Sequence, residues 1–189
     1  MLRLIEASAF EETPQRMNTT TPTRLNIIAA VGLAVGGVFG LLGTVVAQSN
    51  LRAVFWGIDS VGLIVATALL TLKYFRAGAD TVSAGFLVFA IGEAVMLSGT
   101  AATLEGGVPA FAAGTALWSA ALLLTCIPKQ FAIGVRLVGI IGSILFAITA
   151  SRIFWGEQVL PTSRPLPFFA YPFLVLTFAG WIWTLLKRD

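Results

Sequence analysis

The chain has 189 residues, of which 57% are hydrophobic and only 11% charged, with a mean hydropathy of +0.90; soluble domains carry about 25% charged residues, so a water-soluble fold is not expected. There is no histidine and one cysteine, Cys126, which argues against histidine-held haem, the common zinc sites, Ser-His hydrolysis and disulfide frameworks. The net charge of +3 is dispersed rather than gathered into a basic patch with interleaved aromatics, so no nucleic-acid partner is expected.

Residues 1–24 carry Glu6, Glu11, Glu12, Pro14 and a TTTPT run and read as a polar tail, expected to be disordered. An amphipathic surface helix over Leu2 to Phe10 is the competing reading, and Met17 is an alternative start. The remainder, 25–189, reads as one all-α transmembrane domain of six spans.

The first span covers 25–47. Gly32, Gly36 and Gly40 recur every fourth residue along it, a stripe on which a neighbouring helix can pack closely. Its apolar run is too long for the core of a signal peptide, so it is expected to be retained. A polar turn, Gln48-Ser49-Asn50, leads to the second span, 53–73, where Asp59 shares a face with Arg52, Trp56, Gly62 and Ala66.

The third span, 82–104, holds Glu93 near its midpoint, and Gly85, Gly92 and Gly99 repeat every seventh residue, forming a second packing seam. Glu105-Gly106-Gly107 predicts a tight hairpin, and Pro109 suits the first turn of the fourth span, 108–127. Helices three and four are therefore expected to be antiparallel neighbours. Cys126, near the end of that span, reads as an inert buried thiol. The fifth span covers 131–154, with Arg136 near one end and Arg152 at the other. After the longest loop, WGEQVLPTSRPLP, the sixth covers 168–186.

With six spans, nine basic residues (Arg3, Arg16, Arg24, Lys73, Arg76, Lys129, Arg136, Lys187, Arg188) fall on one side and three (Arg52, Arg152, Arg164) on the other. The positive-inside rule then places both termini in the cytoplasm. The expected location is the cell membrane, of the bacterial inner-membrane kind. Trp56 and Trp155 are expected at the outer interface, and Trp181 and Trp183 near the inner one.

Glu93 is the residue with the strongest claim to a role, since an ionised carboxylate in hydrocarbon costs several kcal/mol and must find a proton, a donor or a cation. Counted from span centres at 1.5 Å per residue, Asp59 should lie about 6 Å outward of Glu93 and Arg136 about 7 Å inward. Trp118, central in the fourth span, should lie level with Glu93 and offer it the indole N–H. In one reading these groups are satisfied separately and serve as packing glue. The function expected is then that of a small structural or assembly subunit, with the lipid bilayer and a second copy or another membrane protein as partners. The alternative joins Glu93 and Asp59 in a water-filled cavity opening outward, as in a small proton- or cation-linked transporter or channel. No glycine-rich phosphate loop, nucleophile elbow or acidic metal cluster occurs, so no cofactor, metal or enzymatic chemistry is expected.

Overall fold

Six helices are present in the computed structural model, which describes residues 23–187: α1 (Arg24–Val45), α2 (Ser49–Arg76), α3 (Asp80–Gly99), α4 (Val108–Cys126), α5 (Ile133–Phe154) and α6 (Tyr171–Leu186). The tail expected over residues 1–24, its alternative start and the Arg3, Arg16 and Arg188 charges lie almost wholly outside the described residues.

Local chemistry explains where the helices begin and end. Thr23 caps α1, its hydroxyl accepting from the Asn26 N–H at 3.3 Å, and Pro109 and Pro172 occupy the first turns of α4 and α6, where a missing N–H costs nothing. Helix α2 ends on Gly78, whose φ of +69° lets the Ala79 N–H return to the Tyr74 carbonyl at 2.9 Å. Such a cap satisfies carbonyls that the helix end leaves free.

Two boundaries differ most from the sequence expectation. The polar turn placed at Gln48-Ser49-Asn50 is mostly helical, because Ser49 and Asn50 form the first turn of α2 behind an extended Gln48. The third span was expected to reach Leu104, but α3 stops at Gly99, and residues 100–107 form turns rather than a tight hairpin. There the Thr100 hydroxyl bonds the Leu97 carbonyl at 2.7 Å and the Gly106 N–H bonds the Thr103 hydroxyl at 3.1 Å. Side-chain oxygens thus compete with the helical ladder inside an apolar run.

Among the described residues five helices are long and apolar enough to cross a membrane, and α6, with 16 residues, is apolar but shorter. This is the make-up of a multi-pass membrane protein. Its surface agrees: Val31, Val38, Val61, Leu137, Ile144 and Leu176 face outward, more than half exposed, while Ser60, Glu93, Thr115, Ser143 and Thr177 are buried.

The helices form a closed ring in chain order, each packed on its neighbour, with α1 against α6. All contacts are antiparallel. On α1, Gly32 faces Gly62 and Ala66, Gly36 faces Leu63, and Gly43 faces Trp56, so residue numbers fall on α2 as they rise on α1. On α3, Gly85 faces Ala121 and Thr125, Gly92 faces Gly114 and Leu117, and Gly99 faces Ala110. Both glycine series therefore lie in helix contacts. At one end Asn26 ties the ring shut, donating to the Leu185 carbonyl at 3.1 Å and accepting from Lys73 Nζ at 2.8 Å.

Helices across the ring do not meet at the backbone, so side chains fill its axis. Trp181 stands edge-on to Phe86 at 4.8 Å between ring centres, and Phe86 stacks on Tyr74 at 5.4 Å. Phe131, Phe89 and Phe178 complete this aromatic plug. It occupies the half of the ring nearer the α2–α3 and α4–α5 turns. Trp181, expected at a membrane interface, is 1% exposed, whereas Trp183 is 72% exposed; the two lie about 200° apart on one helix, so only one can face outward.

Candidate functional site

The other half of the ring is hollow. A cavity of about 330 Å³ lies between the aromatic plug and the 46–48, 100–107 and 155–170 connections, with Asp59, Ser60, Glu93 and Trp118 in its inner walls. Arg52, Trp56, Thr103 and Pro161 stand nearer the connections.

Asp59 is positioned by absence of side chains on α1. A Cβ on Gly40 would lie 2.9 Å from Asp59 Oδ2, and one on Gly36 would lie 3.2 Å from Oδ1. The first-span stripe thus does two jobs: it brings α1 onto α2 and leaves a socket for the carboxylate. Glu93 is held from the next residue of α2, Ser60, whose hydroxyl donates to Glu93 Oε1 at 2.7 Å. Asp59 directly precedes Ser60 on α2, so its carboxylate and that of Glu93 line the same stretch of the cavity.

This places Asp59 at about the level of Glu93, not about 6 Å outward as the span centres implied. The bounds of α3, which starts at Asp80 and stops at Gly99, account for the difference: its centre lies about 5 Å from the one expected at 1.5 Å per residue, whereas the centre of α2 hardly moves. Trp118 also lines the cavity beside the carboxylate pair, and among the described residues its Nε1 has no partner in hydrogen-bond geometry. Behind it the indole stacks on Phe89 at 5.5 Å and meets the Phe146 edge at 5.2 Å, which fixes its plane.

Arg136 does not join the site. Its guanidinium donates to the Cys126 and Ile127 carbonyls at 2.8 and 2.7 Å, closing the C-terminus of α4, where a cation is favoured by the helix dipole. Arg52, weighed as a partner for Asp59, instead donates to the Val46 carbonyl at 2.8 Å and sits 5.9 Å from the Trp56 ring centre. Among the described residues the carboxylates therefore lack a basic partner: Asp59 Oδ1 and Glu93 Oε2 are buried and unpaired. A buried oxygen of this kind requires a proton, water or a ligand.

Sequence reasoning missed Ser60, Met96, Phe111 and Tyr171. Met96 lies one turn from Glu93 and packs on Gly114, and Tyr171 fastens the long loop to α6 through its hydroxyl and the Pro161 carbonyl at 2.9 Å. Ser60 directly follows Asp59, but adjacent helical residues point about 100° apart. Only the packing of α2 between α1 and α3 turns one toward the glycine socket and the other toward Glu93.

The arrangement defines a class: an all-helical, multi-pass membrane bundle with a two-carboxylate cavity in one half. No family model, curated protein or solved structure matches the chain.

Proposed function

We propose that the protein crosses a bacterial inner membrane six times with both termini in the cytoplasm, and acts as a small carrier that exchanges protons or cations at Asp59 and Glu93. The observation that carries this reading is that the two carboxylates line one cavity, each with an unpaired buried oxygen. Carboxylates placed so are typical of ion and proton paths. The plug at the opposite end suits a carrier that opens to one side at a time better than an open channel. Helix α6 spans only about 24 Å at 1.5 Å per residue, so the turns over residues 165–170 complete the sixth crossing. The charge asymmetry favours cytoplasmic placement for the plugged end and external placement for the hollow one.

The glycine seams support a second reading, a rigid structural or assembly subunit in which the carboxylates are only internal glue. Water access separates the two. In a Cys126→Ala background, Met96→Cys is expected to react with a membrane-impermeant methanethiosulfonate added outside intact cells, as is Thr103→Cys at the exposed 100–107 turns. Reaction at 103 but not at 96 would mean a sealed interior and favour the structural subunit. Labelling of both only after permeabilisation would invert the threading.

A further inference from the structure

We infer that the cavity takes a monovalent organic cation, a substituted ammonium with an apolar group, its charge between Asp59 and Glu93 and its apolar part against Trp118, Phe111 and Tyr171. This rests on the carrier reading and narrows it from cations in general to one chemical class.

Charge comes first. Asp59 is 8% exposed and Glu93 1% exposed, and each has one oxygen with no partner. Among the described residues lining the cavity, Arg52 is the one basic side chain, and its guanidinium is engaged at the Val46 carbonyl. A monovalent cation compensates one carboxylate while the other keeps a proton, whereas an anionic occupant would add charge of the same sign, which is strongly unfavourable in a low-dielectric interior.

The walls then decide between inorganic and organic cations. Calcium takes about six to eight oxygen ligands and magnesium an octahedral set, and among the described residues no cluster of three or more acidic, cysteine or histidine side chains exists. Beyond the carboxylates, most of the lining hydroxyls are already engaged: Ser60 donates to Glu93, Tyr171 to Pro161, and Thr44, Thr100 and Thr103 bond backbone groups of their own segments, while Ser49 and Asn50 stand in the first turn of α2, away from the carboxylates. Most of the rest is aromatic, aliphatic or glycine: Trp56, Phe111, Trp118, Tyr171, Leu174 and Phe178. Aromatic faces attract a poorly hydrated organic cation that need not be fully coordinated by oxygen. The volume agrees. At about 30 Å³ per water, the cavity of about 330 Å³ has room for an ammonium group carrying a ring or short chain.

The test is titration calorimetry of the purified full chain in detergent with phenyltrimethylammonium chloride, using tert-butylbenzene as the uncharged isostere and sodium and potassium chloride as inorganic competitors. Saturable binding of the ammonium is expected, with the isostere weaker by about a hundredfold. Glu93→Gln, which keeps an acceptor for Ser60, and Asp59→Asn should each weaken binding by about thirtyfold or more. Trp118→Leu should weaken it by about threefold to thirtyfold. Unchanged circular dichroism and melting of Glu93→Gln establish that the loss is local, and Asp59→Asn supplies an independent reading should that variant misfold. Equal affinity for the ammonium and the isostere would overturn the inference, since the cavity would then recognise only apolar surface. Saturable sodium or potassium binding, lost in Glu93→Gln and without ammonium binding, would overturn the organic class while leaving the carrier reading standing. No binding of any cation, together with an unreactive Met96→Cys, would overturn both.

Discussion

Trp181→Ala is expected to destabilise the folded protein by about 3–5 kcal/mol, the range for removing a large aromatic side chain from a packed core. Trp181 is 1% exposed and meets four rings of the plug: Phe86, Phe178, Phe131 and Phe89, at 4.8, 5.7, 6.0 and 6.4 Å between centres. Because the helices across the ring have no backbone contact, these rings carry the attachment of α6 to α3, and alanine would leave a void at the axis. The indole N–H has no partner, so Trp181→Phe, which keeps a ring and removes the orphan donor, should cost much less. Trp183→Ala removes a side chain that is 72% exposed and is the control for lost helix-surface contact. Reversible unfolding in mixed micelles measures all three. A loss below about 1 kcal/mol for Trp181→Ala, the ordinary scale of a point substitution, would show that the plug is not a packed core.

The helix count and approximate helix bounds were legible because long apolar runs bounded by charged or glycine-proline turns constrain a chain strongly. Neighbour relations were legible too where short connections forced them, as for α3 and α4. The glycine spacings gave the contact faces: Gly85, Gly92 and Gly99 could pack closely only on a facing helix, and α4 with its N-cap meets them with Gly107, Ala110, Gly114 and Ala121.

Hydropathy could not see the end of α3, because Ser98, Thr100 and Thr103 lie in an apolar stretch whose hydroxyls bond their own backbone. That error moved Asp59 and Glu93 apart in height. Arg136 was misplaced for another reason. An arginine reaches several ångströms along its stem, and the bare carbonyls at the end of α4 were a nearer acceptor than any carboxylate. Closure of the ring, α1 on α6, has no local signature; it arises from the Asn26 bond to Leu185 and the packing of Gly37 on Val175 and Phe178. The hollow half follows from that closure, so the cavity could be conceived from the sequence but not located in it.

Gly32→Leu should be as damaging as the loss of the plug tryptophan, and through the opposite fault. A Cβ on Gly32 would lie 2.7 Å from the Gly62 carbonyl oxygen and 2.9 Å from Ala66 Cβ, while a Cβ on Gly62 would lie 3.1 Å from the Gly32 carbonyl oxygen. No long side chain is available to swing aside, so α1 and α2 must separate, at a cost of about 3 kcal/mol or somewhat more for overpacking. Gly57 provides the comparison on the same helix pair, since a Cβ there meets nothing within 4 Å; Gly57→Leu should change stability by no more than about 0.5 kcal/mol apart from a gain in helix propensity. The separation also has a consequence for the site. Gly36 and Gly40, one and two turns further along α1, form the socket of Asp59, so helices forced apart at Gly32 release that carboxylate from its place beside Ser60 and Glu93. Gly32→Leu is therefore expected to weaken cation binding even under conditions where it remains folded, whereas Gly57→Leu leaves binding intact. Equal unfolding free energies for the two variants would mean that the stripe faces lipid rather than α2.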